Sequence, residues 1–116
     1  MNIRSQVDIL LATYNGERFL DEQMHSLLSQ SYTEWHLIIR DDGSTDNTLA
    51  IIQRYKKQYP NKITILEDNL ANLGACRNFG RILEQSDADY AMFCDQDDVW
   101  LPKKIPRPAK NRRVSG

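Results

Sequence analysis

Four short apolar runs, each followed by a polar turn or loop and separated by segments of helical spacing, constrain this chain more than any other feature. The runs are Gln6–Ala12, His36–Arg40, Ile63–Leu66 and Asp89–Cys94. The first is near-continuously apolar, as expected of a strand covered on both faces. After it, Phe19, Leu20, Met24, Leu27 and Leu28 form an i, i+4, i+8 stripe opened by Glu17, Asp21 and Glu22, whose charges suit a helix N-terminus. This spacing predicts a helix that ends between Ser29 and Ser31. Thr45 to Tyr59 repeats the pattern through Leu49, Ile52 and Tyr55, with Thr45 or Asp46 as cap and Pro60 as stop. A third helix is predicted over Ala75 to Gln85, with Phe79, Ile82 and Leu83 facing inward. Strand and helix in strict alternation specify an α/β fold: a parallel sheet joined by right-handed crossovers.

At 116 residues and 41% apolar content the chain has material for one core. No apolar run is long enough to span a bilayer or act as a signal-peptide core, so the expected compartment is the cytoplasm. Cys76 and Cys94 form no CxxC pattern and are expected to be reduced, buried thiols. Charge divides the chain sharply. All 16 acids precede Lys103, whereas Lys103, Lys104, Arg107, Lys110, Arg112 and Arg113 crowd the last stretch. Residues 1–105 are therefore expected to form the domain, and residues 106–116, with two prolines and no apolar periodicity, a basic disordered tail. Such a tail can touch phosphate or the inner face of an anionic membrane. The acidic body argues against a nucleic-acid partner and suits a site for a divalent cation.

In a parallel α/β sheet, ligands bind where loops leave the carboxyl ends of the strands. Those loops carry the unusual residues here: Thr13-Tyr14-Asn15-Gly16, Asp41-Asp42-Gly43-Ser44 and Asp95-Gln96-Asp97-Asp98. The carboxylates of Asp95, Asp97 and Asp98 repel one another without a counter-charge, and Mg²⁺ or Mn²⁺ with a diphosphate would supply it. A solvated acidic turn is the plainer alternative. Asp42 either caps the following helix or accepts from a nucleobase N–H or a ribose hydroxyl, and Tyr14 either stacks on a base or covers the sheet edge. Neither GxGxxG nor GxxxxGK[ST] occurs. His25 and His36 have no nucleophile pattern near them and read as structural or exposed. Trp35 and Trp100 read as packing residues, with Trp100 also close enough to the acidic loop to wall a crevice.

Taken in order, Ala12-Thr13-Tyr14-Asn15-Gly16, Leu27 to Tyr32, Ile38 to Thr48, Asn72-Leu73-Gly74 with Arg77-Asn78, and Cys94 to Pro102 resemble the nucleotide-binding half of the family-2 inverting glycosyltransferases. The resemblance implies the GT-A fold: a three-layer, Rossmann-like α/β/α arrangement with a mostly parallel sheet, here cut after the strand that leads into Asp-x-Asp. It further implies a nucleotide-diphosphate sugar donor, Mg²⁺ or Mn²⁺, and transfer of the sugar to an acceptor hydroxyl with inversion. Ala12, Tyr14, Asp42, Arg77, Asp95 and Gln96 would contact the donor, and Asp97 would bind the metal. The wording of these blocks is similar to bacterial enzymes of surface polysaccharide synthesis, rhamnosyltransferases among them. That points to a dTDP- or UDP-sugar and to a glycan or lipid-linked acceptor.

In the family the catalytic carboxylate follows the Asp-x-Asp loop at some distance, so no residue of this chain is assigned as general base. A domain cut there would leave an apolar edge uncovered, and a homodimer would cover it. The alternative is a non-catalytic remnant that binds nucleotide and metal. A phosphoacceptor signalling domain fits less well, because the acid pair follows the second strand and no lysine ends a later one.

Overall fold

The computed structural model describes residues 7–94, 99–102 and 104–105. Within them run β1 (Val7–Thr13), α1 (Glu17–Leu28), β2 (Trp35–Asp41), α2 (Thr48–Gln58), β3 (Ile63–Ile65), α3 (Ala75–Gln85) and β4 (Tyr90–Cys94). The strands form one sheet in the order β3-β2-β1-β4, and every pairing is parallel. β1 lies in the interior of that order, which explains its near-continuous hydrophobicity: all seven of its residues, Asp8 and Thr13 included, are buried.

Alternation along the strands sorts the core into two sides. Val7, Ile9 and Leu11 meet Leu20, Met24 and Leu27 of α1 and Ile52 and Tyr55 of α2. Leu10, Ala12, Ile38 and Ala91 meet Ile82 of α3 on the other side. The helices thus cover both faces, which gives the expected three layers. Each fully buried Ile or Leu of β1 contributes about 1.5–3 kcal/mol of apolar transfer free energy.

The inward faces of the helices differ from the expected stripes in a consistent way. Phe19, Leu49 and Leu83 are each more than a third exposed, while Gln23, Thr48 and Asn78 are buried. Each of these polar residues has a partner inside: Gln23 donates to Cys94 Sγ, Thr48 Oγ1 accepts from the Gly16 amide, and Asn78 joins Arg40. A buried polar group with a partner displaces a neighbouring apolar side chain from the inward position. α2 also starts at Thr48, later than Thr45, because Asp46 Oδ1 accepts from the Thr48 amide at 2.9 Å and closes a turn ahead of the helix. Thr45 is held elsewhere, its amide donating to Asn15 Oδ1 at 2.8 Å. Of the thiols, Cys94 is buried as expected and Cys76 is exposed on α3; neither forms a disulfide.

The segment after β4 returns to α1. Trp100 and Ile105 enter the core on the α1 side, and the Trp100 amide donates to Ser26 Oγ. Gln30 grips this segment with both ends of its amide, donating to the Leu101 carbonyl and accepting from the Ile105 amide. Trp100 is accordingly a packing residue. The basic stretch 106–116 lies outside the described residues.

Candidate functional site

β1 and β2 run in register to their ends, so Thr13 stands beside Asp41 and the two following loops leave the sheet together. Side chains then lock one loop to the other. Thr13 Oγ1 donates to Asp41 Oδ1 at 2.7 Å, and the same carboxylate accepts from the Ser44 amide at 2.8 Å. Asn15, in the left-handed region at φ 48°, donates its amide to Ser44 Oγ at 2.8 Å. Asp41 is thus a fastener between loops.

Asp42 fastens a third loop. Its Oδ1 accepts from the Leu73 amide and its Oδ2 from the Gly74 amide, both at 2.9 Å, while its own carbonyl accepts from the Asn72 amide at 3.0 Å. The turn can approach this closely because Gly43 has no side chain: at φ +90° a Cβ there would stand 3.0 Å from the Cβ of Ala71.

Arg40 lies beneath this junction with its side chain 1% exposed. A guanidinium buried to that degree needs every donor satisfied. Nε and Nη2 donate to Asp68 at 3.1 and 2.8 Å, Nη1 donates to Asp42 Oδ1 at 3.2 Å and Asn78 Oδ1 at 3.0 Å, and Nη2 also donates to the Leu70 carbonyl at 2.8 Å. Asn78 completes the network by donating to the Arg40 carbonyl at 3.2 Å. The contact with Arg40 holds the Asp68 carboxyl well below the usual carboxylate range. Burial pushes the Asp42 carboxyl up, but the Leu73 and Gly74 amides and Arg40 together outweigh burial and leave it below its ordinary value. Both acids are therefore ionised at neutral pH.

Above the network opens a pocket of about 590 Å³, lined by Ala12, Thr13, Tyr14, Asp42, Asn72, Gly74, Ala75, Asn78 and Phe79. Of the residues expected to contact a donor, Ala12, Tyr14 and Asp42 line it. Tyr14 presents a large aromatic surface, 45% exposed, whereas Asp42 is 4% exposed. Arg77 is exposed on α3 and is not among the lining residues. Asp95, Gln96 and Asp97 lie outside the described residues. Among the described residues no three His, Cys, Asp or Glu side chains are grouped closely enough to hold a metal ion. His25 is exposed and meets Tyr55 edge-on, and His36 pairs with Thr64 across the sheet; neither lines the pocket.

Arg40, Asp68 and Asn78 were not singled out from the sequence as network members. Arg40 did carry a signal, a charged residue closing an apolar run beside an acid pair. Such a residue in a central strand must find partners, but its partner Asp68 is 28 positions away and no local spacing reveals it.

A family model described as Glycosyl transferase family 2 matches residues 8–111. The chain is 42% identical over 98 residues to the dTDP-rhamnosyl transferase RfbG of Shigella flexneri, a match covering 82% of this chain and 34% of that protein. Among solved structures it is similar to TarS 1-349 from S. aureus in complex with UDP-GlcNAc, at 27% identity and TM-score 0.68, covering 79% of this chain and 26% of that one. The mannosyltransferase PcManGT from Pyrobaculum calidifontis, in complex with GDP-Man and Mn²⁺, shares the fold at TM-score 0.77 and 22% identity, covering 88% of this chain and 30% of that one. The chain spans between 16% and 41% of the length of the curated relatives it resembles, 34% of RfbG among them. No helix among the described residues is long and apolar enough to cross a membrane.

Proposed function

As the chain belongs to glycosyl transferase family 2, we propose that it is the donor-binding part of an enzyme that moves a sugar from a nucleotide diphosphate to an acceptor hydroxyl with inversion. The observation that carries this reading is the pocket at the carboxyl ends of β1 and β2, where Tyr14 and Asp42 stand on its wall. An aromatic face and an ionised carboxylate suit a nucleobase: the ring stacks and the carboxylate accepts from a ring N–H. Ala12, small and 7% exposed, leaves the floor open. Asp95 and Gln96 follow β4 directly in sequence, and in this reading they would meet the ribose and diphosphate. Arg77 would meet the anionic donor from α3.

Asp97 would hold a Mg²⁺ or Mn²⁺ ion, which when bound neutralises charge on the departing nucleoside diphosphate. The donor chemistry fits, since hard divalent ions take carboxylate oxygen and complete their shell with phosphates and water. In the proposed transfer the acceptor oxygen would bond to the anomeric carbon from the face opposite the diphosphate as the bond from that carbon to the diphosphate oxygen breaks, which inverts the carbon, and the hydroxyl proton would pass to a general base. The similarity to a dTDP-rhamnosyl transferase supports a dTDP-linked sugar and that to a TarS structure in complex with UDP-GlcNAc supports a UDP-linked one; a glycan or lipid-linked acceptor of surface polysaccharide synthesis completes the proposal. No base is assigned to this chain. The reading places the protein on the cytoplasmic side, against the inner face of the membrane where lipid-linked acceptors reside, and pairing of two copies would cover the β4 edge, which is unpaired among the described residues.

Titration calorimetry of UDP and dTDP into the full chain, with and without Mn²⁺, tests the reading. Binding that needs both the metal and Asp97, lost in Asp97→Ala, is the expected result. A well-folded chain that takes neither nucleotide under either condition would overturn it.

A further inference from the structure

Asp42 cannot act as a free carboxylate in this pocket, because most of its acceptor capacity is already committed. Oδ1 accepts from Arg40 Nη1 and the Leu73 amide, and Oδ2 accepts from the Gly74 amide. A carboxylate offers about four acceptor positions, so one remains, on Oδ2. What determines this orientation is Arg40, whose other donors reach Asp68, the Leu70 carbonyl and Asn78. The same guanidinium therefore holds the loop on both sides of Ala71: directly at Asp68 and Leu70, and through Asp42 at Leu73 and Gly74. Three wall residues of the pocket, Asp42, Gly74 and Asn78, owe their placement to it.

We propose that Arg40 is the positioning residue of the pocket, locking the 68–74 loop onto Asp42 and leaving that carboxylate a single acceptor for ligand. A single acceptor matches a base that offers one imide N–H, as uracil and thymine do. Guanine offers two adjacent N–H donors and would leave one unpaired, at a cost. Arg40 does not touch the ligand; it acts through Asp42 and the loop. The ligand part of the proposal rests on the nucleotide reading above, whereas the positioning part stands on the geometry of the chain alone.

The decisive variant is Arg40→Lys. Lysine keeps the charge, but one nitrogen with three donors cannot span Asp42, Asp68, Leu70 and Asn78 together. The full chain and the variant are compared by circular dichroism for folding, by amide hydrogen exchange at Leu73 and Gly74, and by calorimetry with UDP, dTDP and GDP. Arg54→Lys, on the exposed face of α2, is the control. In folded Arg40→Lys the two amides lose protection, and UDP binds about tenfold more weakly or worse, the size of one lost hydrogen bond to a charged group. The control changes neither. Wild-type chain binds UDP and dTDP about tenfold more tightly than GDP, by the same reasoning.

A folded Arg40→Lys that keeps both amides protected, or that binds UDP as wild type does, overturns the positioning role. Equal affinity for GDP and UDP overturns the single-acceptor argument. If wild type binds no nucleotide, the nucleotide reading falls, and the exchange at Leu73 and Gly74 still decides the role of Arg40. Should Arg40→Lys fail to fold, Asp68→Asn loosens the same clamp from its far end and is judged by the same two readouts.

Discussion

Arg40 and Asp68, 28 residues apart in sequence, meet through two parallel hydrogen bonds, Nε to Oδ2 at 3.1 Å and Nη2 to Oδ1 at 2.8 Å. This fork ties the end of a central strand to a loop that has no sheet pairing of its own. Removing the guanidinium would strand Asp42, whose side chain is 6% exposed, without its counter-charge. Arg40→Met is therefore expected to lower stability by about 3 kcal/mol, as for other buried pairs broken from one side. Urea unfolding measures it. A loss below about 1 kcal/mol, the range of surface pairs, would mean that water solvates this junction freely.

The same network sets an acid limit. Asp42 and Asp68 both have folded-state pKa values below their unfolded ones. Each therefore contributes stability that is fully present above the unfolded carboxylate value of about 3.9 and is lost as pH falls through the lower folded value. Stability is expected to be insensitive to these two groups from pH 7 to about 5 and to fall below about 4. In Asp68→Asn the acid limb should be shallower, since one of the proton-binding differences is gone. Identical slopes for both chains between about pH 4 and 2 would remove Asp68 from the account.

Two glycines near the pocket share a φ of +90° but not their surroundings. At Gly43 a Cβ would meet the Ala71 Cβ at 3.0 Å, whereas at Gly74 nothing lies within 4 Å. Gly74→Ala is expected to cost the backbone strain alone, about 1–3 kcal/mol. Gly43→Ala should cost more, because the loop must also retreat from the turn. Thermal melts of the two variants compare them directly, and the reverse order would mean that the loop at Ala71 yields easily.

Tyr14 is 45% exposed on the pocket wall, and in the proposed reading its ring stacks on the base. Tyr14→Ala should weaken UDP binding by about 1–3 kcal/mol, the range of an aromatic–base stack, while Tyr14→Phe keeps most of the affinity. Calorimetry reads both. Loss in Tyr14→Phe equal to that in Tyr14→Ala would assign the effect to the hydroxyl instead of the ring.

The order of strands and helices was legible in the sequence because apolar periodicity is local: Ile9 to Ala12 reads as an interior strand, and Leu20, Met24 and Leu27 read as one helix face, with no knowledge of their neighbours. The position of the pocket was legible for a related reason. In parallel sheets every strand end points the same way, so loops such as 13–16 and 41–44 are brought together by topology alone, and Tyr14 and Asp42 do line one pocket. Local pattern did not separate Leu49 from Thr48, or Leu83 from Asn78, because the inward place went to whichever side chain had a distant polar partner. Nor did it distinguish an Asp42 open to ligand from one already accepting from Leu73, Gly74 and Arg40. Periodicity is a property of neighbours along the chain, whereas the satisfaction of a buried charge is a property of neighbours in space. The alternation of elements and the end of the sheet that holds the pocket were therefore written into the residue order, and the wiring of Arg40, Asp42, Asp68 and Asn78 was settled when folding brought Arg40 and Asp68, 28 positions apart, into one contact.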